Sequence, residues 1–230
     1  MTAGEPLPTP APVGPPAPFK PRLRGVIHEH AFFIALVAGG LLVGLAPSAR
    51  ARGAALVYAL SLCGLLGTSA LYHRVDWRSV RARMWMRRAD HSMIFLLVAG
   101  TYTPFAVLVL HGTLGRTILW VVWAGALGGI LLSVAWPSAP RPLVAAVYVA
   151  LGWVAIAAMP QIAQRAGWGA LALLGAGGVL YTAGAVIYAL RRPDPRPLVF
   201  GYHEVFHVLV VIAAAAHYAA VAGWALSAGS

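Results

Sequence analysis

Two histidines in GYHEVFHVLVV, His203 and His207, are spaced to share a metal ion. A helix rises about 1.5 Å per residue, so an i, i+4 pair sets both imidazoles on one face about 6 Å apart along the axis. With Glu204 between them the segment fits H-E-x-x-H, the zinc protease signature in which the glutamate is general base. Three fixed positions in five residues are a weak signal, and the other polar groups have to decide. TSALYHRVDW carries Ser69 and His73, again at i and i+4, and RRADHSMIF carries Asp90 and His91.

These groups sit in a chain that is 60% hydrophobic and 10% charged over 230 residues, with mean hydropathy +0.77. Soluble domains are about one quarter charged, so the composition describes an integral membrane protein. Apolar runs near the roughly 20 residues needed to cross ~30 Å of hydrocarbon fall at 26–46, 54–73, 89–110, 114–136, 142–159, 168–190 and 201–225. Prolines and glycines punctuate the short connections, which predicts an all-α bundle of seven antiparallel transmembrane helices spanning residues 25–230. Ahead of it, residues 1–24 form a proline-rich arm expected to be disordered. The single cysteine, Cys63, lies in an apolar run and reads as packing.

The excess of 17 Lys and Arg over 6 Asp and Glu is explained by where it falls. Lys20, Arg22, Arg24, the six arginines from Arg74 to Arg88, Arg141, Arg191, Arg192 and Arg196 share one side of the predicted topology. Arg50, Arg52, Arg116 and Arg165 lie on the other. The positive-inside rule then puts the N-terminus in the cytoplasm and the C-terminus outside. The basicity is topogenic, and no nucleic-acid partner is needed to account for it.

Given that orientation, three helices bring Ser69, His73, Asp90, His203 and His207 to the same cytoplasmic layer. Three neutral imidazoles leave a tetrahedral zinc one open position for catalysis. Asp90, expected in the first turn of helix 3, would serve as general base toward water at the metal, and Ser69 would orient that water or a substrate carbonyl. Each residue alone has a plainer reading. His73 is an interfacial side chain, Asp90 a partner of Arg87 and Arg88 at a helix N-terminus, and His203 with His207 a pair of hydrogen-bonding groups between helices. Their convergence at one depth favours the metal. His91, about 100° from Asp90, and His217, roughly 15 Å beyond His207, are expected outside it. The roles of His28 and Glu29 are open.

The blocks SALYHRVDW, ADHSMIFLLVAGTYTPF and HEVFHVLVVIAAAAHY, in this order, resemble the hemolysin III family, bacterial relatives of the adiponectin and progestin receptors. The resemblance implies a seven-helix bundle in the bacterial inner (plasma) membrane. It also implies the zinc pattern of a superfamily that includes alkaline ceramidases, with His73, His203 and His207 as ligands and Asp90 and Ser69 beside them. Related receptors carry Gln where this chain has Glu204, so no base role is implied for it, and no second protease block is present. The leading expectation is a zinc-dependent membrane hydrolase of a lipid amide or ester, working from the cytoplasmic leaflet in membrane lipid homeostasis. Membrane lipids are its expected partners. The alternatives are a non-catalytic zinc-containing receptor or regulator, and a pore-forming hemolysin-like channel; the nearly apolar outer halves of the helices disfavour the channel.

Overall fold

The computed structural model describes residues 20–227. Seven helices are long and apolar enough to cross a membrane: α1 (Val26–Gly44), α2 (Ala49–Arg74), α3 (Val80–Val109), α4 (Gly112–Ala135), α5 (Arg141–Arg165), α6 (Gly167–Leu190) and α7 (Tyr202–Ala225). Among the described residues the only β pairing is an isolated bridge between Arg196 and Phe200. Each helix packs on the next in sequence and α7 returns to α1, closing a ring in which α3 is the most enclosed member. The seams are lined by small side chains, among them Ala51, Ala55, Ala99, Ala126, Ala170 and Ala213, all buried. Small residues let helix backbones approach closely where lipid supplies no hydrophobic drive for association.

The helices follow the apolar runs except at the starts of α2 and α3 and at the end of α5, which continues to Arg165 instead of stopping near residue 159. Ser48 and Ser79 cap these helices, their hydroxyls accepting from the amides of Ala51 (3.2 Å) and Ala82 (3.3 Å). An N-cap satisfies an orphan amide and starts the helix where it sits, irrespective of hydrophobicity. The arginine-rich segment 81–88 is therefore helical, and Asp90 stands ten residues beyond Val80 rather than in the first turn. The helix N-terminus consequently has no part in its role.

Three spans carry local breaks. Pro104 is followed by a π-helical turn at Phe105–Val109, α7 ends in another at Val221–Ala225, and α5 tightens to a 3-10 turn over Trp153–Ala158. The Tyr102 hydroxyl fastens the last of these, donating to the Gly152 carbonyl (2.5 Å) and accepting from the Ala155 amide (2.6 Å). The Thr101 and Thr103 hydroxyls donate one turn back, to the Leu97 and Ala99 carbonyls, and not to the Gly100 carbonyl that Pro104 leaves without its helical amide. Of the arm expected to be disordered, residues 1–19 lie outside the described residues. Its last residues run along the loop before α7, the Arg22 and Leu23 amides each donating at 3.1 Å to the Leu198 and Val199 carbonyls.

Candidate metal centre

At the end of the bundle that carries most of the arginines, the last turn of α2 meets the first two turns of α7. His73, His203 and His207 each direct a ring nitrogen into one space, with all three nitrogens within 4.8 Å of one another. The Nε2 atoms of His73 and His203 are 3.1 Å apart. His73 and His207 are buried and His203 is half-buried. The i, i+4 spacing on α7 makes this possible, since it sets the His203 and His207 rings 4.5 Å apart between centroids.

The carboxylate beside the cluster comes from α3. Asp90 Oδ2 lies 3.8 Å from His73 Nε2, and its side chain is 13% exposed. Ser69, one turn before His73 on α2, is buried and stands beside Asp90. All five residues singled out in the sequence are thus gathered at one place. His91 lies outside the cluster, edge-on to Tyr188.

One residue whose role the sequence leaves open joins them. His28 of α1 is 2% exposed, lies flat against His207 with ring centroids 3.8 Å apart and planes 10° from parallel, and shares a 2.8 Å hydrogen bond between its Nδ1 and Ser69 Oγ. It braces one imidazole of the cluster and the serine together. The signal available was its place among polar residues opening an otherwise apolar run at the same end as His73.

The close approach of α1 to α2 depends on Gly25. This residue precedes α1 with φ +81°, and a Cβ there would come within 2.7 Å of His73 Cβ. Backbone conformation and space both demand glycine. Gly25→Ala is expected to push His73 out of register and to weaken metal binding by about 10- to 100-fold, the range seen when groups that orient a ligand are lost. Metal competition titration on the purified variant would check this.

Glu204 is engaged in a task other than the base role of the protease motif. It is fully buried, one oxygen accepting from the Gly201 amide at 2.8 Å and the other from Arg24 Nε. Both carboxylate oxygens are thereby engaged in tying the start of α7 to the segment before α1. It is neither placed as a free general base nor a bystander.

Inward from the cluster runs a cavity of about 180 Å³ between α3, α5, α6 and α7. Its lining includes Ser69, Asp90, His203 and His207 at one end, apolar side chains such as Leu97, Phe105 and Val210 along its length, and His217 at the other. A smaller notch beside it, faced by Arg87 and Arg141, shares His91 and Tyr188 with the main cavity.

A ring of seven membrane helices holding a histidine cluster at the head of an apolar chamber defines the class: a multi-pass membrane protein with a buried polar centre. Residues 17–218 match the family model described as Haemolysin-III related. The chain belongs to the hemolysin III family. It is 34% identical to the hemolysin-3 homolog of Bacillus subtilis (strain 168) over 70% of this chain and 72% of the relative. It is 33% identical to the hemolysin-3 of Bacillus cereus over 67% of each. More distantly, it is 28% identical to the adiponectin receptor protein of Drosophila melanogaster, over 70% of this chain and 40% of that one.

Proposed function

We propose that this protein is a zinc-dependent hydrolase of a lipid amide or ester, acting in membrane lipid homeostasis from the cytoplasmic leaflet of the bacterial inner membrane. The observation that carries this reading is the shared space: two of the three clustered imidazoles, Asp90 and Ser69 all line a chamber whose remaining walls suit an acyl chain. Membrane lipids are then substrate as well as solvent.

The donor set fits zinc. Zinc to imidazole distances of about 2.0–2.1 Å in a tetrahedron place ligand nitrogens roughly 3.3 Å apart, close to the His73–His203 spacing. Three neutral donors with one carboxylate alongside, rather than in the set, match a site with an open position. His73, His203 and His207 would hold the ion. When bound, it supplies Lewis acidity toward a carbonyl and lowers the pKa of water.

The chain's own residues account for the proton. Asp90, beside the cluster, accepts it from the attacking water as the new C–O bond forms. Asp90 then returns it to the departing amine or alcohol as the C–N or C–O bond breaks. Ser69, fixed by His28, presents its hydroxyl where the substrate carbonyl would lie, and the apolar walls exclude bulk water. The notch faced by Arg87 and Arg141 at the same end would suit an anionic lipid headgroup.

Purified protein reconstituted in lipid vesicles is expected to contain one zinc per chain and to release free fatty acid. Both properties should disappear on chelation and return with added zinc. Protein that carries no stoichiometric zinc would overturn the proposal.

A further inference from the structure

We infer that the end of the cavity remote from the three imidazoles is a second binding subsite, formed by His217 and Tyr181, that takes a hydroxyl carried on the chain of the bound lipid. It rests on the reading that the cavity receives an acyl chain.

His217 follows His207 by ten residues on α7, about 15 Å along the axis, and lines the same cavity. Its ring occupies a slot made by α6: a Cβ at Gly177 would sit 2.3 Å from both Cδ2 and Nε2 of the imidazole. Within the slot the Nε2–H donates to the Leu174 carbonyl at 3.1 Å. A carbonyl can only accept, which fixes the proton on Nε2. Among the described residues no carboxylate pairs with this ring, and an unpaired charge buried here would be costly, so the imidazole is neutral and its Nδ1 is a bare acceptor. Tyr181, one turn after Gly177, stands edge-on to it with ring centroids 5.4 Å apart.

Both His217 Nδ1 and the Tyr181 hydroxyl are buried with no hydrogen-bond partner among the described residues. Buried polar groups in membrane proteins are otherwise satisfied internally. A single group that donates to the imidazole nitrogen and accepts from the phenol would satisfy both atoms. A carboxylate or ketone lacks the donor, and an ammonium lacks the acceptor. An alcohol has one of each. Water held by these two groups alone would have the minimum of partners for a retained buried molecule. A chain hydroxyl needs no more than the two and arrives already held by the chain. A dodecanoyl chain, extended, reaches roughly the distance from the cluster to His217.

The probes are ω-hydroxydodecanoic acid and dodecanoic acid, with binding to the zinc-loaded, detergent-solubilised full chain measured by calorimetry. The hydroxy acid is expected to bind about tenfold or more tightly, because a site built for a hydroxyl rejects the analogue lacking it. Replacing His217→Phe together with Tyr181→Phe should abolish that preference at unchanged zinc content, and Tyr181→Phe alone, which keeps the ring, should reduce it. Equal affinities in the unaltered protein, or a preference that survives the double replacement, would overturn the subsite while leaving the acyl chamber standing. Binding of neither acid would remove the chamber reading and the subsite together.

Discussion

Asp90→Asn is expected to lower lipid hydrolysis by roughly 10²- to 10⁴-fold, the usual contribution of a positioned acid-base group, while zinc stays bound. The replacement keeps the size of the side chain and its ability to hydrogen-bond, and removes only its capacity to take a proton. Asp90 Oδ2 at 3.8 Å from His73 Nε2 is close enough to orient groups at a metal held by the cluster, yet Asp90 is outside the set of three clustered histidines. Metal content should therefore separate this variant from His203→Ala combined with His207→Ala, in which two of three donors are gone and zinc and activity should fall together. The contrast also tests the receptor alternative. If lipid-dependent signalling persisted in the Asn variant and no hydrolysis product were found in the unaltered protein, the centre would be regulatory, with zinc in a closed site. Turnover that survived in the Asn variant would displace Asp90 from the mechanism.

The legible parts of this molecule were those set by local or periodic properties. Each span is a run of apolar residues of membrane-crossing length, so seven helices follow from composition alone. His203 and His207 share a helix face by spacing, and His73 joins them because antiparallel packing of spans fixes depth. What escaped were features decided by tertiary contacts or by single capping residues. Ser79 begins α3 nine residues before the apolar run, and a hydropathy window registers the arginines it covers as loop. His28 meets Ser69 across 41 residues of sequence and His207 across a still longer separation, and neither pairing has a periodic signature. Glu204 was visible only as the second letter of a protease motif, because the partner that defines its task is 180 residues away.

That partner gives the second large effect: Arg24→Ala is expected to destabilise the protein by about 3–5 kcal/mol, the cost of leaving one member of a buried ion pair unmatched. Glu204 is fully enclosed, whereas the Arg24 side chain is 18% exposed, so the stranded group would be the carboxylate, which has no route to water. Glu204→Gln should cost less. Its amide oxygen still accepts from the Gly201 amide, preserving the start of α7, and the freed guanidinium retains access to solvent. Unfolding in SDS titrations should order the proteins as unaltered, then Glu204→Gln, then Arg24→Ala. Because the pair secures the segment before α1 against the first turn of α7, both variants should lose stability before they lose zinc. The Gln variant carries the mechanistic weight. A folded, zinc-loaded and active Glu204→Gln protein assigns the glutamate to architecture, whereas one that is folded and zinc-loaded but inactive would make Glu204 the base and return H-E-x-x-H to its protease-like sense.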